Sequence, residues 1–157
     1  MTESNKKSVA NDPNIIWMVT LSNGDYYEGT IHNGMMNGGG TEHCKAIYVI
    51  KNIGEYQGDF SYSPDETYTY PDNWGKFTWA NGSTYEGQFV NGRMRGDGTF
   101  IHYNKVTTIS TRFLDWANIL NQMILPDRFN YNIPDMEYYR DFEKNIVEVS
   151  GYRIGKK

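Results

Sequence analysis

Cysteine is nearly absent: Cys44 is the single one in 157 residues, so no intramolecular disulfide can staple the chain, which suits a reducing compartment. Proline is scarce too, five against sixteen glycines. The longest apolar run, Ile15 to Val19, is far too short to span a bilayer, and Met1 to Asp12 is polar, so neither a membrane span nor a secretory signal is expected. Basic residues never run beyond a pair (Lys6-Lys7, Lys156-Lys157), and the formal charge is −4. An acidic chain with scattered cations lacks the phosphate-neutralising term on which nucleic-acid binding rests. A membrane-surface role would need a contiguous basic face, and Arg93, Arg95 and Lys105 supply a meagre one. The charge pattern leaves protein partners.

Aromatic rings are what the chain has instead: thirteen Tyr, seven Phe and four Trp. Rings with many glycines suit strands and tight turns. They also fall in a repeat. Tyr27-Glu28-Gly29 leads to Asn33-Gly34, Gly38 and Gly40, and Tyr85-Glu86-Gly87 leads to Asn91-Gly92, Gly96 and Gly98 at identical offsets. Tyr56-Gln57-Gly58 lies midway, so units start at 27, 56 and 85, a spacing of 29. Asn23-Gly24 precedes Tyr27 as Asn81-Gly82 precedes Tyr85.

Alternate residues of a strand share a face. Tyr27, Gly29 and Ile31 therefore lie together, as do Tyr56, Gly58 and Phe60, and Tyr85, Gly87 and Phe89. Gly75, Phe77 and Trp79 align on a second strand, and Gly98, Phe100 and His102 on another. A glycine between bulky residues lets a neighbouring ring lie close to the backbone. The Asn-Gly pairs supply the positive-φ residues of tight turns. Each unit reads as a hairpin whose aromatic face stacks on the next.

Tyr-Glu-Gly, Asn-Gly, Gly-x-Gly-Thr and a further Asn-Gly before the next Tyr resemble the MORN (membrane occupation and recognition nexus) repeat. The resemblance covers roughly 15 to 105, and the first two units exceed the family's repeat by six residues, one after Thr41 and the other between Phe60 and Trp74. It implies a mainly β, single-layer array of hairpins over 14–105, defined by Tyr27, Gly29, Gly34, Gly40, Tyr56, Gly58, Gly75, Tyr85, Gly87, Gly92 and Gly98. A flexible N-terminus, 1–13, would precede it, and a nonrepeated helix and aromatic tail, 106–157, would follow.

After Lys105 the pattern stops. Thr111 is placed to cap an amphipathic helix over 112–125, with Phe113, Trp116, Leu120 and Ile124 on one face and Pro126 ending it. Ile146 to Val149 suits a short strand, and the tail is expected to cap the array or dock on a partner.

Catalytic chemistry finds little footing. His43 and Cys44 are adjacent, so on a strand they face opposite ways, and no His or Cys spacing resembles a metal site. Gly38-Gly39-Gly40 precedes a strand pattern, not the helix of a phosphate loop. Asp65-Glu66 falls in an insertion loop beside Pro64. No cofactor is implied. For Trp74, Trp116, Tyr138 and Tyr139, docking of a partner and packing within the chain fit equally well.

The expectation is a non-enzymatic scaffold that binds protein partners through its array and tail, with self-association covering open sheet ends. Short MORN proteins occur in motile axonemes, and radial spokes contain MORN-bearing subunits. The resemblance thus implies a cytoplasmic, cytoskeletal address in the cilium or flagellum. Arg112-Phe113, the run ending at Pro126, and Ile133-Pro134 before Tyr138-Tyr139 are similar to the tail of a short ciliary type. The alternative the family's name suggests is a membrane- or phosphoinositide-associated tether.

Overall fold

A computed structural model of the protein describes residues 12–38, 46–123 and 129–153. The fold is mainly β. Its strands are β1 (Ile15–Leu21), β2 (Tyr26–His32), β3 (Met35–Gly38), β4 (Ile47–Ile50) and β5 (Gly54–Tyr62), then β6 (Thr69–Trp79), β7 (Thr84–Val90), β8 (Arg93–Ile101), β9 (Thr108–Phe113) and β10 (Ile146–Arg153). They form one open antiparallel sheet in the order β10-β1-β2-β4-β5-β6-β7-β8-β9, with β3 paired to the far half of β2. The described helix, α1, is Trp116–Gln122.

Directly opposed residues in an antiparallel sheet put their side chains on the same face. The registers join Val149, Val19, Tyr27, Tyr48, Tyr56, Phe77, Tyr85, Phe100 and Ile109 into a single row that crosses the whole sheet. Two positions along, a second row carries Gly58, Gly75, Gly87 and Gly98 as successive partners. The tyrosines lie over these glycines. A Cβ built on Gly75 would stand 2.5 Å from Tyr56 Cε1, one on Gly87 would stand 2.7 Å from the Tyr85 hydroxyl, and one on Gly29 2.5 Å from that of Tyr27. Each ring reaches past its glycine and donates to the carbonyl three residues ahead: Tyr27 to Thr30 (2.6 Å), Tyr56 to Asp59 (2.5 Å), Tyr85 to Gln88 (2.8 Å). Burying a phenol therefore leaves no orphaned hydroxyl.

Both insertions spare this arrangement. Tyr48 opposes Tyr27 and Phe77 opposes Tyr56, each 21 residues on, where Phe100 opposes Tyr85 after 15. The extra six residues enter between β3 and β4 in the first unit and lengthen the β5–β6 hairpin in the second. Gly40 lies outside the described residues, as do His43 and Cys44. Ala46 now precedes Tyr48 as Gly98 precedes Phe100, and its Cβ would stand 2.9 Å from one built on Gly29.

The Asn-Gly pairs are of two kinds. At 33–34 and 91–92 both residues have positive φ, as a two-residue type I′ turn requires. At 23–24 and 81–82 only the glycine does, because those loops are longer: Leu21 N–H reaches the carbonyl of Asp25, and Trp79 N–H that of Ser83.

Along the array the rings meet edge to face. Tyr27, Phe60, Tyr56, Phe89, Tyr85, Trp116 and Phe113 form a continuous file with centroids 4.8–5.9 Å apart. Trp116 takes the place that a fourth unit's Phe would fill, and its Nε1 donates to the Gly96 carbonyl at 2.9 Å.

Three expectations need correction. The helix does not span 112–125: Thr111, Arg112 and Phe113 pair with Gly98, Asp97 and Gly96 in β9, and Asp115, not Thr111, caps α1 by accepting from Asn118 N. Alternation won because the edge of β8 offered a full ladder of partners. The sheet consequently runs past Lys105 to Phe113. Nor is the array a single layer, because the tail runs back across the aromatic face. Tyr131 packs on Trp79 and Phe100 (4.9 and 5.2 Å), Tyr139 on Tyr48 (5.1 Å) and Phe142 on Tyr27 (5.6 Å). The chain then enters β10, which is longer than the expected Ile146–Val149 and pairs with β1 along its length.

Gly75→Ala should cost about 1–3 kcal/mol by overpacking against Tyr56. Gly75 has ordinary strand geometry, so the cost is steric, and removing the ring (Tyr56→Ala with Gly75→Ala) should make the two changes non-additive. Urea unfolding reads both; a Gly75→Ala protein as stable as its parent would contradict the ring-on-glycine account.

Candidate partner-binding surface

Four rings were candidates for docking, and the structure separates them. Trp116 is 0 % and Tyr139 3 % exposed, enclosed by Tyr85 and Phe113 in one case and by Tyr48 and Tyr138 in the other. Both are corrected to packing residues: a ring already surrounded by its own chain offers nothing to a partner. Trp74 is 50 % and Tyr138 39 % exposed. Tyr27, Tyr56 and Tyr85, with the glycines beneath their rings, are likewise spent on packing.

Tyr138 belongs to a clasp. Asp25, on the turn before β2, is 1 % exposed and has no cation beside its carboxylate among the described contacts. Its oxygens accept from Tyr138 (2.6 Å), Tyr48 (2.8 Å), the Lys51 backbone N–H (2.9 Å) and Asn23 Nδ2 (3.3 Å). Four donors offset the cost of burying a carboxylate. The group fixes the tail to the loop end of the sheet, and with Asp25 and Tyr48 sealed it presents no reacting atom to a substrate. Burial first, and then Asp25, push the hydroxyls of Tyr48 and Tyr138 well above the usual phenol range. Burial does the same for Tyr27, Tyr56, Tyr85 and Tyr139, and burial first, then the bond to Glu28, push Tyr26 up to about 12.

Among the described residues the other face of the sheet is open toward β7–β9, whereas at the β1–β2 end Ile16 and Thr30 on that face are buried. Its central row runs Met18, Glu28, Ile47, Gln57, Lys76, Glu86, Thr99, Ser110, a mostly polar series. Trp74 rises from it because Asn73 takes positive φ (70°) and turns the start of the long β6 segment outward, opposite Gln88. Between Trp74 and β9 lies an open groove of about 720 Å³, bounded by Glu86, Thr99 and Ser110 and by Arg112, which grips Asp97 through two bonds of 3.0 and 3.3 Å. The Thr99 and Ser110 hydroxyls bond each other at 2.9 Å. An indole platform beside fixed polar groups can stack on an apolar or aromatic side chain while hydrogen-bonding its backbone. Of these residues Trp74 alone stands out in the sequence as a docking candidate. The others become neighbours only through register across three strands.

Of the suspected basic face, Arg93 is paired with Asp135 at 3.4 Å. Asp65 in the insertion loop accepts from Ser63 and Thr67. His102 is buried, with Nδ1 accepting from Asn104 N. Among the described residues no three His, Cys, Asp or Glu side chains converge as a metal site, and no helix is long and apolar enough to cross a membrane. No family model and no curated protein matches the chain.

Two predictions follow from the clasp. Tyr48→Phe should cost about 1.5–3 kcal/mol, as for a buried hydrogen bond to a charged group, and Tyr138→Phe, half exposed, distinctly less; equal losses in urea melts would refute the burial ordering. A phenol whose folded pKa is raised stabilises fully below its unfolded pKa of about 10, and that contribution drains away as pH climbs further. Tyrosinate absorbance should therefore rise with unfolding, above about pH 10. Free ionisation of all tyrosines at that pH with the sheet intact would contradict it.

Proposed function

We propose that the chain is a non-catalytic scaffold of the MORN type that binds protein partners, and that it works in the axoneme of a cilium or flagellum, for instance as a radial-spoke subunit. The observation that carries the scaffold reading is the thrice-repeated device of a tyrosine lying over a glycine and bonded to the carbonyl three residues ahead. It commits three buried phenols to packing and stiffens a sheet whose opposite face is mostly polar toward β7–β9. The axonemal address is supported by the resemblance of the repeat and tail to short ciliary proteins of that family.

Partners would meet the polar face at Trp74, where an exposed indole can stack on an apolar side chain and the neighbouring hydroxyls provide selectivity. Arg93, already engaged with Asp135, weakens the basic face that a lipid tether would use.

A tagged chain expressed in ciliated cells should run along the shaft of the cilium and stay with the axoneme after detergent removes the membrane. Trp74→Ala should reduce that retention severalfold without loss of fold. A diffuse cytosolic signal would sink the axonemal reading, and release of the tagged chain by detergent would favour the membrane tether instead.

A further inference from the structure

The sheet ends at β9, and nothing about that strand blunts it. It pairs with β8 without a register shift, contains neither proline nor lysine, and its one charge, Arg112, is held by Asp97. Such an edge is a template for another strand. At the opposite edge β10 is different: its ladder with β1 is broken by a register shift at Thr20/Leu21, it carries Glu148, and its end is tied by Arg153 to Asp12 at 3.0 Å.

The flanks of β9 say what kind of strand would fit. Among the described large apolar side chains Val106 (83 %) and Leu114 (72 %) are the most exposed, and they stand on either side of β9, four residues before and four after Ser110. Leaving them in water forgoes the burial that drives association.

We propose that β9 pairs antiparallel with β9 of a second copy, about a two-fold axis at Ser110. In a continuous sheet opposed residues must share a face, so the paired residue numbers must add to an even sum. Centring on Ser110 satisfies this and sets Ile109 against the second copy's Thr111 and Thr108 against its Arg112. Just beyond the strand ends, two residues before Thr108 and one after Phe113, it brings Val106 against the second copy's Leu114, and Leu114 against its Val106. No like charges are opposed. Centring on Thr111 instead would place Val106 opposite Trp116, which is 0 % exposed and committed to the ring file, so Val106 would stay bare. Because Ser110 and Arg112 bound the Trp74 groove, this pairing also abuts the grooves of the two copies, giving one surface with two indole platforms. The pairing needs only this chain and stands apart from the scaffold reading.

The test uses the full-length chain. Sedimentation equilibrium should show a monomer–dimer equilibrium, with Val106→Asp or Leu114→Asp weakening it by at least about tenfold, and Val147→Asp, on the opposite edge, leaving it unchanged. Register is read separately. Opposed Cα atoms in an antiparallel pair lie about 4.5–5.5 Å apart, within the roughly 4.4–6.8 Å that a disulfide spans. Ser110→Cys in a Cys44→Ala background should thus give a covalent dimer on oxidation, and Glu148→Cys in the same background should not. A monomer at every concentration, a dimer indifferent to Val106 and Leu114, open-ended oligomers, or cross-linking at 148 instead of 110 would each overturn the proposal.

Discussion

A phenol ring can lie flat on a β-sheet only where the strand beneath has no side chain. That steric requirement organises this protein. Tyr56 covers Gly58 and Gly75, and Tyr85 covers Gly87 and Gly98, so each ring occupies two strands at once and fixes their register as well as their spacing. A slip of one residue would turn the rings to the polar face; a slip of two would drive them into side chains. The hydroxyl adds direction, since in all three units it meets the carbonyl three residues on, and Tyr85 reaches the Asp97 carbonyl as well. Where the chain grows longer it does so beyond this contact, at the β3–β4 connection and the β5–β6 hairpin.

The same device creates a problem that the tail resolves. A row of six rings, flanked by Val19, Val149 and Ile109 across nine paired strands, is an apolar face too broad for water. Residues 129–145 cross it in reverse, with three rings seated edge to face on rings of the sheet: Tyr131 on Trp79, Tyr139 on Tyr48, Phe142 on Tyr27. Such pairs contribute about 0.5–1.5 kcal/mol each beyond area burial. Polar fastenings keep this segment in register, among them Tyr138 on Asp25, Arg93 on Asp135, Asn81 on the Tyr131 hydroxyl and the Ser22 N–H on the Asn145 carbonyl at 2.7 Å, and β10 then occupies the edge of β1. Fold and cover are thus one cooperative unit, and the aromatic face is no longer a surface.

What could be read in the amino-acid order follows from how local each cause is. Tyr-x-Gly is a contact between residues two apart, so both the repeat and its strand character were legible. Tyr48 was not, because the insertion moved it out of step and Ala46 replaced the glycine that would have marked it. The start of the helix was misplaced because Phe113 fits a helical and an alternating pattern alike, and only the pairing of Arg112 with Asp97 decides. Trp74 was legible as a candidate, but the groove beside it joins residues from four strands. The Asp25 clasp, closed by a tyrosine 113 positions away, left no trace in spacing or composition.

These constraints leave the molecule two-sided. On one side rings pack on rings from Tyr27 to Trp116, and a partner could enter only by displacing the tail and breaking several aromatic contacts together. On the other side the sheet offers Trp74, hydroxyls and a bidentate ion pair at no such cost, and beside them the unblunted edge of β9. Binding energy gained on the open side is not spent on unfolding the closed one. A sheet stiffened from behind by its own tail is preorganised for contacts in front, which is the property that a passive scaffold needs and a flexible hairpin array lacks.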